Sequence, residues 1–184
     1  QPYTQIPTQY SLHIRDSGGD LKHLEYLAEG TYDCRREFVE KLLVDLEPKG
    51  SIVVYSHFEK TILTRIQNWF DDLESDIERV KNRLVDMEKL ISKFVQHPGF
   101  KGRTSIKVVL PVLVPEMDYS ELEISSGDDA LVMFYRIAMG QVHPDRVDST
   151  RLALLEYCKL DTLAMVRIHE VLLRLAYGNS EKLS

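Results

Sequence analysis

Apolar and polar side chains alternate near the start of the chain and predict an antiparallel hairpin. In residues 10–15 the alternation is strict, which is the period of a half-buried strand. Residues 16–20 are rich in glycine, serine and aspartate, the composition of a tight turn, and residues 23–28 form a second run. The pattern therefore predicts two neighbouring strands at this end of the chain.

A helix, a strand and a second helix are predicted next. Asp33 is placed to cap a helix with one apolar stripe, which ends at Pro48 and Gly50. Residues 51–55 form a short apolar run typical of a strand covered on both faces, and helical spacing resumes through residues 62–70. Because a helix precedes and follows the strand, we expect a parallel crossover.

Helical periodicity dominates the second half. From Ser75 to Phe94 apolar residues recur at steps of three and four, which predicts one amphipathic helix or a helix broken at residues 84–86. The segments that follow are a basic loop at 97–103, a short helix at 105–114, an irregular stretch at 118–127, a helix at 128–139 and a turn-rich link at 140–149. A long apolar stripe then predicts a final helix from about 150 to 177.

Composition bounds the class of protein. With 184 residues, 43% of them hydrophobic, residues 1–184 can form one core, so we expect a single domain. No apolar run approaches the length of a membrane span, and we expect no membrane partner. Only Cys34 and Cys158 are present, and we expect unpaired thiols in a reducing cytoplasm. The six histidines lack the spacing of a zinc finger with these cysteines.

The charge balance limits how nucleic acid would be bound. A net charge of -6 gives no overall basic surface, which argues against tight non-specific binding by this domain alone. It does not exclude a nuclease, because sites that hold cations are acidic. Lys101 and Arg103 in the basic loop, with Lys107 after it, are the candidates for phosphate contacts. The alternative interpretation is a solvated loop followed by a surface helix.

Glu59 follows the predicted strand at residues 51–55 almost at once. In α/β sheets, ligands bind beyond the carboxyl ends of parallel strands, so this carboxylate is a candidate functional group. His57 is the one histidine close to it in the sequence. The alternative is that Glu59 is a first-turn acid stabilised by the helix dipole.

Tyr157 and Asp161 lie four residues apart in the final helix, hence on one face and about 6 Å apart along its axis. A carboxylate so placed can hold a metal while the phenol positions a water. Asp161 also interrupts an apolar pattern, where an unpaired charge is costly, so a cation or basic partner is expected. The alternative is a surface aspartate beside a core tyrosine.

Several short segments together resemble a known superfamily. They are residues 9–13, 50–55 with 58–60, 105–107, and 156–158 with 161–162. The order of hairpin, helix, strand ending in Phe58 and Glu59, and late helix bearing Tyr157 and Asp161 resembles the DEDD exonucleases, in particular the tyrosine-bearing DEDDy branch of the ribonuclease-H-like superfamily. More narrowly, the short segments resemble a bacterial domain family of unknown function placed in that superfamily. The resemblance covers nearly the whole chain and implies an α/β fold in which helices flank a mixed sheet of hairpin and parallel strand.

The resemblance implies a nuclease, specifically a 3′ to 5′ exonuclease acting on DNA or RNA with Mg²⁺ or Mn²⁺. In that case Glu59 and Asp161 correspond to metal-binding catalytic acids, and Tyr157 to the tyrosine that orients the water. His57 and Asp86 are supporting residues in this interpretation.

The chain departs from the superfamily pattern in two ways. The first motif, an aspartate and a glutamate on the first strand, has no counterpart before Tyr10, so we expect that strand upstream of Gln1 in a longer protein. Glu59 also stands where an aspartate is usual. Without the first motif these residues are expected to bind metal weakly and cleave little. The rival hypotheses are a non-catalytic nucleic-acid-binding or protein-docking module, and a structural domain that supports a neighbouring nuclease.

Overall fold

The computed structural model describes residues 6–120 and 122–178. Its first element is the expected hairpin, in which β1 (Gln9–Arg15) pairs antiparallel with β2 (Leu21–Leu27). The Asp16 carboxylate closes the turn by accepting hydrogen bonds from the backbone N–H groups of Gly18 and Asp20. The prediction from alternating side chains is confirmed.

A second, parallel pair of strands lies further along the chain. After α1 (Arg35–Asp45), β3 (Ile52–Val54) pairs with β4 (Leu84–Asp86), and Val54 lies opposite Asp86. Between them lie α2 (Phe58–Gln67), a 3₁₀ turn (Asp71–Leu73) and α3 (Glu74–Lys81). The parallel crossover is confirmed.

Of the two alternatives for residues 75–94, the structure shows the helix broken at residues 84–86, although the strand at the break was not predicted. Residues 84–86 form β4, and a separate helix, α4 (Met87–Phe94), follows directly. Helical periodicity hides this strand because it is only three residues long and lies between two helices. The prediction that β3 is covered on both faces is wrong, because 37% of Val53 is exposed.

The remaining elements are mostly helical. They are a 3₁₀ turn (Pro98–Phe100), α5 (Ile106–Leu113), α6 (Gly127–Ala138) and α7 (Pro144–Tyr177). α7 begins earlier than the expected residue 150, because Pro144 fits the first helical turn and the His143 ring accepts a hydrogen bond from the Asp145 N–H. At α1 the residue preceding the helix is Cys34 and not Asp33, whose carboxylate instead binds Arg35.

Three apolar clusters hold these elements together. In the first, the rings of Tyr10 and Tyr26 stack across the hairpin with centroids 5.7 Å apart, and Phe38 of α1 meets Tyr10 edge-on. A second cluster joins α4, α5 and α7, and a third joins the hairpin to the start of α7. The hairpin therefore lies between α1 and α7.

Within the described residues the two sheets are separate, and both border one cavity. β1 pairs only with β2, and β3 only with β4, so each sheet has a free edge in this part of the chain. Residues 7–12 and 52–54 line the same cavity of about 560 Å³, together with apolar side chains of α2 and α6 such as Ile62 and Phe134. The cavity thus runs between β1 and β3.

The architecture is a mixed α/β fold with an antiparallel hairpin, a parallel strand pair and surrounding helices. Both cysteines are free thiols, as expected. Across the described ranges, no helix combines the length and apolar character needed to span a membrane.

Candidate functional site

The site begins where β3 passes into α2. Val54 and Tyr55 are buried, and after a short turn Glu59 occupies the first turn of α2. The Tyr55 carbonyl accepts a hydrogen bond from the Glu88 N–H, so the start of α4 lies beside the same turn. Glu59 therefore lies beyond the carboxyl end of β3, as predicted.

The Glu59 carboxyl group is strongly withdrawn from solvent. Its Oε2 is buried and has no hydrogen-bond partner among the described residues. Burial raises the pKa of Glu59, and the negative charges of Asp86 and Asp161 raise it further. His57 lies near enough to oppose this shift. A hydrogen bond from a backbone N–H also opposes the rise in the pKa of Glu59, as is typical of an acid in the first turn of a helix, so Glu59 combines that position with burial.

Asp86 ends β4 and has a structural role that accounts for its own position. Its carboxylate caps α4 by accepting a 2.9 Å hydrogen bond from the Lys89 N–H, and it lies 3.4 Å from the Lys89 ammonium. It nevertheless contributes negative charge at Glu59. The structure therefore places the predicted supporting residues, His57 and Asp86, beside Glu59.

Asp161 reaches the site from the middle of α7. Burial raises the pKa of its carboxyl group, while hydrogen bonds from Tyr119 and Tyr157 and the charge of Lys107 act in the opposite direction. The Tyr119 hydroxyl donates to Asp161 Oδ1 over 2.7 Å. Glu59 and Asp161, which come from distant parts of the sequence, are thus brought within electrostatic range of each other.

Two tyrosines face Asp161, although only one was predicted. The rings of Tyr119 and Tyr157 lie 6.2 Å apart, and burial raises the pKa of both phenols well above the ordinary value. Both are therefore protonated hydrogen-bond donors at neutral pH. Tyr119 was missed because it lies in the irregular segment before α6, where no periodicity links it to α7. Its one signal is that it is the single aromatic residue of the irregular stretch at 118–127.

The predicted basic residues separate into two groups. Lys107 belongs to the site, since its ammonium donates to the Ser125 carbonyl over 2.9 Å and lies 5.9 Å from the Tyr119 ring centroid. Lys101 and Arg103 are exposed on the loop before α5. The Tyr55 hydroxyl donates to the Thr104 carbonyl over 2.6 Å, which holds this loop close to the end of β3.

The donor set suits a hard cation but is incomplete. Oxygen ligands are the ones that Mg²⁺ and Mn²⁺ prefer, and the unpartnered Glu59 oxygen is a vacant donor of that kind. Within the ranges described, no group of three or more histidine, cysteine, aspartate or glutamate side chains is arranged to hold a metal. Glu59 and Asp161 therefore supply at most part of the oxygen ligands that such a cation takes.

Comparison with known families matches residues 1–105 to a domain of unknown function, DUF2779. The match covers more than half of the chain, including the hairpin, Glu59 and Asp86, and it ends before Tyr119 and α7. Neither a curated protein nor a solved structure matches the chain.

Proposed function

The chain belongs to the DUF2779 family, and from that starting point we propose that the intact protein is a metal-dependent nuclease with a ribonuclease-H-like domain. It acts as a 3′ to 5′ exonuclease on DNA or RNA with Mg²⁺ or Mn²⁺. The observation that carries the proposal is the buried, unpartnered carboxyl oxygen of Glu59 in a site shared with Asp161.

The energetics of this arrangement favour a cation. A buried carboxylate without a partner is costly, and a second carboxylate nearby increases the cost through repulsion. Glu59 has no ion-pair partner among the described residues, and Lys107 makes its hydrogen bond to a backbone carbonyl. A divalent cation would offset both charges, and in nucleases it also promotes attack of water on a phosphodiester.

The protein side chains have separable roles in this proposal. Glu59 and Asp161 would hold the cations through their carboxylate oxygens. Tyr157 stays protonated, because burial raises its pKa, and its O–H donates to Asp161. Its phenol oxygen would therefore orient the attacking water by accepting a hydrogen bond, and it would not remove the proton of the water. Lys101 and Arg103 contact the phosphates of the nucleic acid, since both side chains are exposed on a loop held near the site.

The cavity between β1 and β3 supports the ribonuclease-H-like assignment. Strands with free edges carry N–H and C=O groups that another strand can pair with. One further strand in the cavity would join the two sheets into a single mixed sheet and cover the apolar walls. We propose that such a strand brings the carboxylates that complete the site beside Glu59.

Hydrolysis of end-labelled oligonucleotides by the full-length protein tests the proposal. Single-stranded DNA and RNA are incubated with Mn²⁺, with Mg²⁺ or with chelator, and products are sized over time. We expect metal-dependent cleavage that falls at least about 100-fold in Glu59→Gln and Asp161→Asn, because each removes a metal ligand.

Asp45→Asn is the matched control, since Asp45 also accepts a tyrosine hydrogen bond but lies outside the site. It should cleave as the wild type does. Wild-type rates in Asp161→Asn, or no cleavage with any metal, would overturn the nuclease assignment.

A non-catalytic nucleic-acid-binding module is the second candidate. Exposed Lys101 and Arg103 favour it, because phosphate contacts do not require a complete metal site. It predicts binding of the same oligonucleotides without cleavage, weakened by Arg103→Ala and by added salt.

A further inference from the structure

Tyr119 contacts the site from the irregular segment between α5 and α6, and it has no role in the proposed nuclease mechanism. Its hydroxyl donates to Asp161 Oδ1 over 2.7 Å. Its ring is half-buried against the Tyr157 ring. Asp161 therefore has a hydrogen-bond donor from outside its own helix.

The segment that carries Tyr119 is anchored on both sides of the site. Lys107 in the first turn of α5 donates to the Ser125 carbonyl over 2.9 Å and lies close to the Tyr119 ring. Ile124 is only 2% exposed and packs with Leu154 of α7. The phenol is thus held in place by contacts with α5 and with the helix that bears Asp161.

We propose that Tyr119 is a positioning residue that orients the Asp161 carboxylate for cation binding, an inference that rests on the proposed function. A carboxylate can rotate about its Cβ–Cγ bond, and the hydrogen bond to Oδ1 fixes that rotation. The other oxygen is then held ready for the cation without a further entropic cost. Hydrogen-bond partners of metal ligands typically change metal affinity or activity by about 10- to 100-fold.

Both hydroxyl groups donate to Asp161, but the proposal gives the two tyrosines different functions. Tyr119 acts through Asp161, so its loss should weaken cation binding and be offset by more cation. Tyr157 acts on the water, so its loss should lower the rate at saturating cation. This difference separates a positioning role from a general effect on stability.

Titration of the full-length protein with Mn²⁺ alone, followed by electron paramagnetic resonance, measures the affinity directly. We expect Tyr119→Phe to raise the Kd for Mn²⁺ about 10-fold. Tyr32→Phe is the matched control, because the Tyr32 hydroxyl also donates to a carboxylate, that of Glu37, and neither residue lines the cavity that Glu59 and Tyr157 border. Its Kd should equal that of the wild type. In cleavage assays, Tyr119→Phe should regain most of its rate at high Mn²⁺.

Each outcome is decisive. Equal Mn²⁺ affinity in Tyr119→Phe and the wild type overturns the positioning role, even if cleavage is observed. Mn²⁺ binding without cleavage overturns the nuclease assignment, and the comparison of Kd values still decides the role of Tyr119. A wild-type protein that binds no Mn²⁺ overturns both. If Tyr119→Phe fails to fold, Lys107→Met loosens the same segment and should raise the Kd by a smaller factor.

Discussion

The hydroxyl groups of Ser11 on β1 and Thr162 on α7 lie 2.8 Å apart. Thr162 Oγ1 also lies 2.8 Å from the His13 ring, and Ser11 is buried with 6% of its surface exposed. Thr162 directly follows Asp161 in the sequence. The hairpin is therefore hydrogen-bonded to the turn of α7 that carries the candidate metal ligand.

Replacing Thr162 with valine should destabilise the fold. The substitution keeps the shape of the side chain but leaves the Ser11 hydroxyl and the His13 ring without this partner, and such a loss costs about 1 to 3 kcal/mol. Urea unfolding at pH 7 measures the change. Thr64→Val is the control, because Thr64 is an exposed helical threonine that bonds only its own helix. Equal effects of the two substitutions would contradict the prediction.

Replacing Glu59 with glutamine should stabilise the fold while it strongly reduces cleavage. Because the pKa of Glu59 is raised, the folded state favours the protonated acid. Ionisation of Glu59 therefore lowers the unfolding free energy as the pH rises above 4.5, the ordinary pKa of a glutamate. We expect a gain of about 1 kcal/mol at pH 7 and a smaller one at pH 4. Thermal unfolding at both pH values provides the measurement.

Glu40→Gln is the control for this substitution. Glu40 is exposed and pairs with Arg36, so its neutralisation should change the unfolding free energy by less than about 0.5 kcal/mol. A destabilised Glu59→Gln protein at pH 7 would show that the carboxylate is satisfied by a partner in the folded chain.

His13 should make the fold less stable under mildly acidic conditions. Burial lowers the pKa of His13 from 6.5 to about 4, and the positive charges of His23 and Lys159 add to the effect. Between these values the unfolded chain binds a proton that the folded chain does not, so stability falls as the pH drops through this window. Because the ring is only partly buried, we expect a loss of about 1 kcal/mol.

Urea unfolding at pH 7.5 and pH 4.5 checks this prediction in the wild type and in His13→Gln. The variant should show a smaller loss between the two pH values, even if it is less stable at both. An unchanged pH dependence would mean that His13 takes up its proton equally in the folded and unfolded states.

Arg83 should stabilise the fold by holding the segment that connects α1 to β3. Its guanidinium donates to the backbone carbonyls of residues 46, 47, 49 and 50, which include carbonyls beyond the end of α1. We expect Arg83→Ala to cost about 2 to 3 kcal/mol, because several carbonyls lose a charged donor, and Arg83→Lys to cost less. Denaturant unfolding measures both. Arg79→Ala, at an exposed ion pair on α3, should cost under about 1 kcal/mol.

The parts of the fold that sequence predicted are those set by local pattern. The hairpin follows from alternation in residues 10–15, and the position of Glu59 follows from the strand that precedes it. β4 was missed because three residues between two helices do not disturb a helical period. Its identity depends on pairing with β3, which lies about thirty residues earlier.

The site itself was predictable only in part, for a similar reason. Tyr157 and Asp161 share a helix face, so their proximity can be read from spacing. Tyr119 reaches Asp161 from an irregular segment, and that contact depends on how α5 and α7 pack. Lys107 was predicted as a phosphate contact from its charge and its place after the basic loop, and its proximity to Asp161 could not be read from the sequence.

The unpartnered oxygen of Glu59 also bears on how this family can evolve. A lineage that no longer required a negative charge at position 59 would gain stability from almost any uncharged side chain of similar size. Neutral mutation would then replace Glu59 early, before Tyr119 and Tyr157, whose hydroxyl groups have hydrogen-bond partners. The residue found at this position in each descendant is therefore a record of whether its ancestors continued to use the site.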